Sequence, residues 1–134
     1  MRYLLDTNQV LFICQEPARL TPAGRDLMWA RGTELFVSAA AFFEIAIKHR
    51  STTRDGETKL PLKRPMPDML GYPVAKGVRT LPIEPHHPWT ALDPEPVHRD
   101  PYDWLHLQQC QAEGMQLLTA DGGMRGHPLF AFVG

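Results

Sequence analysis

A chain of 134 residues with a formal charge of −1 and a pI near 6.6 is long enough to bury roughly two-thirds of its unfolded surface in one core, and residues 1–134 read as a single domain. The charge balance excludes a globally basic nucleic-acid binder and leaves open only a local basic patch. No apolar run is long enough to cross a bilayer and the N-terminus carries no export signal, which predicts a cytoplasmic protein with no membrane partner.

The first element is a short apolar run, Tyr3-Leu4-Leu5, of the kind that fills a strand covered on both faces. It stops at Asp6-Thr7. Ligands of open parallel α/β sheets bind at the carboxyl ends of strands, so Asp6 is a site candidate; Asp6 or Thr7 is equally well placed to cap the helix that follows. That helix covers residues 10–14 and is closed by Pro17. A second starts with Thr21 as N-cap and Pro22 at its first position, and runs through Trp29 to Gly32. Residues 34–37 read as a strand, and Ser38 caps a helix over residues 39–50, so the opening is β-α-α-β-α. On that helix Phe43, Ala46 and Ile47 recur at three- and four-residue spacing and mark an apolar face with Glu44 on its flank. Glu44 also stands four residues before Lys48, the ordinary ion pair of a solvated helix.

Between Lys48 and Arg64 six basic residues, Arg50 and Arg54 among them, face only Asp55 and Glu57. Such a segment can steer a polyanion toward a nearby site, and it reads equally as a solvated loop, because no aromatic residue is interleaved for base stacking. Ten of the thirteen prolines fall between Pro61 and Pro101, which argues against a long helix there. Only a strand over residues 78–83 and a short helix over residues 87–92, with Pro88 near its start, are predicted in this stretch. His86, His87 and His98 have no HxxxH partner on a helix and read as surface or core histidines.

Periodicity returns at Asp100, an N-cap with Pro101 at the first helical position, Asp103 at the third and Gly114 as the stop. The helix macrodipole favours Asp103 there whatever else it does, and its carboxylate keeps lone pairs for a ligand. Residues 115–119 form the next buried strand. Thr119-Ala120-Asp121-Gly122-Gly123 repeats the strand-end pairing of hydroxyl and acid, with glycines that permit a tight turn, and residues 129–133 close the chain as a strand. Cys14 and Cys110 lie in helical segments without CxxC spacing and read as reduced core residues.

Asp6, Glu44, Asp103 and Asp121 thus stand at the edges of α/β elements. If they converge, their repulsion calls for something positive among them. The natural candidate is a hard divalent cation, Mg²⁺ or Mn²⁺, which takes carboxylate oxygens, water and substrate phosphate, and serves phosphodiester hydrolysis by in-line displacement.

Tyr3-Leu4-Leu5-Asp6-Thr7, Val37-Ser38-Ala39-Ala40 with Phe43-Glu44-Ile45-Ala46-Ile47-Lys48, Lys59-Leu60-Pro61-Leu62, His98-Arg99-Asp100-Pro101-Tyr102-Asp103 and Leu117-Leu118-Thr119-Ala120-Asp121 together resemble the PIN-domain family, and within it the VapC-type toxins of toxin–antitoxin pairs. The five motifs stand in register over nearly the whole chain. The resemblance implies a three-layer α/β/α domain with a central parallel sheet, an Mg²⁺- or Mn²⁺-dependent endoribonuclease acting on RNA, and a cognate VapB-like antitoxin that folds against the toxin and blocks its site; it is compatible with a homodimer. By motif match it assigns Asp6, Glu44, Asp103 and Asp121 to the acidic quartet that binds metal and carries catalysis, with Asp100 as a further acid. Thr7 and Thr119 take the hydroxyl positions that orient carboxylates. Asn8 joins this supporting set, and Lys48, Arg50 and Arg54 are candidates for RNA binding.

The sequence departs from the family pattern at Asn8 and Gln9, where a histidine and then aliphatic residues are usual, and in the helix after Asp103, which carries His106, Gln108 and Gln109. The loop from Arg50 to Lys59 is longer than usual. Asn8, His106 and Gln109 are candidates to line the groove. Two other readings remain: a catalytically silent PIN-like module that binds RNA or protein, and an Mg-dependent phosphoacceptor of receiver type. The second lacks a late-strand lysine, since residues 115–121 contain none, and the first gives no reason to keep four repelling acids.

Overall fold

Strand β1 (Arg2–Leu5) lies at the centre of a five-stranded sheet, between β2 (Glu34–Ser38) and β4 (Gln116–Thr119), with β3 (Arg79–Leu81) and β5 (Phe130–Phe132) at the edges. Every pairing is parallel. The computed structural model describes residues 1–97 and 100–134, Met124 by its backbone only, so His98 and Arg99 lie outside the described residues. Among the described residues five α-helices cover the sheet: α1 (Thr7–Gln15), α2 (Pro22–Met28), α3 (Ala39–Arg50), α4 (Met66–Ala75) and α5 (Pro101–Glu113).

Alternation along the strands produces the layers. Tyr3, Leu5, Leu35, Val37 and Leu118 point to one face, where they meet Val10 and Ile13 of α1, Met28 of α2, Ala41 and Ile45 of α3 and Met69 of α4. Leu4, Phe36 and Leu117 point to the other, against Leu107 and Cys110 of α5. The inner strands are apolar on both faces because both are covered, as in other wholly parallel sheets. Each such fully buried side chain contributes roughly 1.5–3 kcal/mol.

The helix starts follow the predicted caps. The Thr21 hydroxyl accepts from the Gly24 amide, the Ser38 hydroxyl from Ala40, and the Asp100 carboxylate from Tyr102 and Asp103; α5 ends on Gly114 at φ 68°, a left-handed position that suits glycine. Helix α2 stops at Met28, four residues short of the predicted end at Gly32, and β3 is shorter than predicted. Gly122 and Gly123 open a one-turn 3-10 segment capped by Asp121. Cys14 and Cys110 are free and buried. No helix among the described residues is long and apolar enough to cross a membrane.

Three expectations fail. The proline-rich stretch holds a ten-residue helix, α4, because Pro67 sits in its first turn, where no amide is needed, and Pro73 falls near its end. Pro73 cannot donate to the Met69 carbonyl; the Cys14 thiol does so instead at 3.6 Å. The predicted helix over residues 87–92 is a set of turns, held by the His87 amide on the Glu84 carbonyl and the Thr90 amide on that of His87. Helix α3 buries Ala40, Ala41, Glu44 and Ile45, while Phe43 of the predicted apolar face is 58 % exposed. Small alanines let α3 approach the sheet closely, and that rotation carries Glu44 inward.

Candidate active site

The carboxyl ends of β1, β2 and β4 supply one edge of the site. Asp6 is the residue after β1 and the N-cap of α1: its Oδ1 accepts from the Gln9 amide at 2.9 Å, and its Oδ2 accepts a short hydrogen bond from the Thr119 hydroxyl at the end of β4. Thr119 Oγ1 in turn accepts from the Asp121 amide at 3.0 Å. One hydroxyl therefore couples the two strand-end acids. Both roles weighed for Asp6, site acid and helix cap, fall on the same carboxylate through its two oxygens.

Glu44, only 7 % exposed, is held from two sides. The Thr7 hydroxyl donates to its Oε1 at 2.6 Å, and Lys48 Nζ reaches its Oε2 at 2.6 Å. The i,i+4 pair is thus present, but its acid is buried, where a partner offsets the cost of removing the charge from water. That hydrogen bond raises the Lys48 ammonium above its ordinary range.

Asp6, Thr7, Asn8, Glu44, Lys48, Asp100, Asp103 and Asp121 line one cleft of about 220 Å³. The carboxylates are spread around it. Among the described residues no three of them bring ligating oxygens within 4.8 Å of one another. Burial raises the Asp6 carboxyl to about 6, the Thr119 and Gln9 hydrogen bonds pull it back, and the charges of Asp121 and Glu44 push it up. Carboxylates, threonine hydroxyls and an amide make an all-oxygen set apart from Lys48, which suits a hard cation and offers no soft ligand.

Arg50 and Arg54 are exposed on the far stretch of α3 and the loop beyond it, and they do not line the cleft. His106 and Gln109 do not line it either. Both are fully buried: Gln109 donates to the Pro82 carbonyl at 3.3 Å, and His106 has no hydrogen-bond partner among the described residues at either ring nitrogen. Burial lowers His106 to about 4, against the opposing charges of Glu44 and Asp100, so it is neutral at pH 7.

A separate trio, His86, His87 and Glu113, brings its ligand atoms within 4.8 Å of one another. The tautomer argues against an ion there. The Glu84 amide donates to His87 Nδ1 at 2.9 Å, so the proton sits on Nε2 and is donated to Glu113 Oε1 at 2.8 Å. A metal on Nε2 would force that proton onto Nδ1, where an N–H already points. The contact instead clasps the end of α5 to the turn before it, and it holds the Glu113 carboxyl below its ordinary range.

Sequence reasoning missed Phe12 and Arg19, which border a continuation of the cleft. The available signal was Phe12 standing four residues after Asn8, on the same side of a helix capped by Asp6.

No curated protein sequence matches the chain significantly. Its fold is similar to that of a chain in the crystal structure of VapBC2 from Rickettsia felis bound to a DNA fragment from their promoter, with a TM-score of 0.65 and 14 % identity over 98 % of this chain and 97 % of that one. The family model described as PIN domain matches residues 3–127, the whole span from the first strand past the last acid, and the chain belongs to the PIN-domain family.

Proposed function

We propose that the acid cleft is the active site of a metal-dependent endoribonuclease, the toxin of a type II toxin–antitoxin pair. The observation that carries this reading is the hydroxyl-held pair of strand-end acids, Asp6 and Asp121, facing Glu44 and Asp103 across one cleft at the carboxyl edge of a parallel sheet. Burying Asp6 and Glu44 costs stability, and an ion that needs their charge accounts for it. Asp6, Glu44, Asp103 and Asp121 are the residues that would hold Mg²⁺ or Mn²⁺. When bound, such an ion supplies positive charge to the transition state and acidifies water.

The residues of the chain do the positioning. Thr119 and the Gln9 amide fix both oxygens of Asp6, and Thr7 and Lys48 fix those of Glu44, so the acids need little reorganisation during reaction. Asp100 acts through the first turn of α5, which it caps beside Asp103. Asn8 offers an amide at the cleft mouth. The reaction is hydrolysis of an RNA phosphodiester by in-line attack of water. Likeness of fold to a chain of VapBC2 supports a VapB-like protein partner.

Purified protein is expected to cleave RNA with Mg²⁺ or Mn²⁺ and to stop in EDTA, and expression without a partner is expected to arrest growth. Cleavage that persists in excess chelator rejects the metal-dependent mechanism. RNA binding without cleavage in either metal leaves the silent module as the better reading.

A further inference from the structure

We propose that Phe12 and Arg19 form a nucleotide subsite, which holds a single-stranded RNA residue flanking the scissile phosphate; this rests on the nuclease reading above. A second cleft of about 540 Å³ shares Asp6, Asn8 and Asp121 with the acid cleft and continues past them to Phe12, Arg19 and Ala120. Asn8 and Phe12 are four residues apart on α1, so the exposed side of that helix leads from its capping acid directly to the ring.

The electrostatics of the acid cleft require such an extension. Among the described residues lining the acid cleft with Asp6, Glu44, Asp100, Asp103 and Asp121, RNA meets one cation, Lys48, which is engaged with Glu44 at 2.6 Å. A phosphate on either side of the one being cut is repelled unless another cation receives it. Arg19 is the cation lining the continuation. Its guanidinium carbon lies 4.7 Å from the centroid of the Phe12 ring, a cation–π contact that places the guanidinium over the ring. A solvent-exposed guanidinium of this kind can stack an unpaired base, and its N–H groups match a phosphate in bidentate fashion.

Arg19 is free to be recruited. Its side chain is 63 % exposed, and its carboxylate partner, the half-buried Glu16, stands 3.6 Å away in a solvent-accessible pair that contributes little. Exchanging that partner for a phosphate costs little. Arg50 and Arg54, the basic residues of the loop side, line neither cleft.

The test uses Arg19→Gln and Phe12→Leu, the latter keeping an apolar group where Phe12 packs on the core. Controls are Arg31→Ala, at the opposite end of the sheet, and Arg54→Ala. With Mn²⁺ and a short single-stranded RNA, Arg19→Gln is expected to raise KM about tenfold and Phe12→Leu several-fold, both with nearly unchanged kcat. Binding of a labelled RNA is measured in parallel by anisotropy on Asp103→Asn protein, where Arg19→Gln should lower the slope of log affinity against log salt by roughly 0.7, the signature of one lost phosphate contact. If wild type cleaves but Arg19→Gln leaves both KM and salt slope unchanged, the subsite is wrong and the nuclease reading stands. If Arg54→Ala raises KM instead, the strand runs over the loop side and the subsite is overturned. If wild type cleaves nothing, the nuclease reading fails, and the anisotropy slope alone decides whether Arg19 receives a phosphate.

Discussion

Asp6 and Asp121 follow neighbouring parallel strands, both cap the segment that comes next, and both touch Thr119, yet their surroundings are opposite. Asp6 ends the central strand, is 7 % exposed and is raised by burial to about 6. Asp121 ends a strand one place nearer the sheet edge, and it is exposed over a three-residue 3-10 turn. The same local pattern gives a buried acid at the centre and an exposed one beside it, because a nine-residue helix roofs the first and only a turn roofs the second. Position in the sheet decides how much of its hydration an acid must give up, and so how much it gains from a cation.

The largest effect expected from that contrast is on cleavage. Asp6→Asn should lower kcat by about a thousandfold or more, as loss of a preorganised charged group does, whereas Asp121→Asn should cost about tenfold. Equal losses in single-turnover assays would erase the distinction.

Stability should move the other way. Asp6 binds its proton more tightly in the fold than at its ordinary value of 3.8, so in EDTA its contribution to stability should be greatest below about pH 4 and be lost as pH rises through about 6. The loss is on the order of 1–3 kcal/mol, and Asp6→Asn should abolish it and melt higher than wild type at pH 7. Asp121→Asn should keep most of the pH dependence, because burial, the largest cause of the Asp6 shift, remains and only the smaller push from the Asp121 charge is lost. Mn²⁺ should restore wild-type melting temperature, the rise growing with the logarithm of its concentration above Kd, and Asp6→Asn should lose most of that rise. A flat wild-type curve from pH 4 to 7 would show that Asp6 carries no strain.

Thr119→Val tests the link itself. Without its hydroxyl, Asp6 loses a donor and the Asp121 amide an acceptor, at a cost of about 1–2 kcal/mol, and the pH at which stability falls should move upward because that hydrogen bond lowers Asp6. The smallest effect belongs to Asp100→Ala, a lost cap costing about 1 kcal/mol in thermal melting with most of the Mn²⁺ response kept.

The acids were legible because each stands at a boundary written locally: an apolar run ending in Asp-Thr, a Ser cap before Glu44, an Asp-Pro start before Asp103. That Asp6, Glu44, Asp103 and Asp121 share a cleft rests on β1 pairing with both β2 and β4, which no local signal states. The burial of Glu44 was hidden for a related reason. Counting apolar residues put Phe43 and Ile47 inward, but tertiary packing chose the alanine side. Helix α4 was hidden by its prolines, whose cost depends on where in the helix they fall and on a thiol, Cys14, distant in sequence, that takes over a stranded carbonyl.

The hydrogen bond from Thr119 to Asp6 joins residues 113 apart. During synthesis the first strand leaves the ribosome long before the fourth, and until that strand docks Asp6 has neither its hydroxyl partner nor Asp121 beside it. Closing so long a loop comes late in folding. The acids therefore exist as a set only in a chain that has added its last third, and an unfinished chain carries the first acid without a working site.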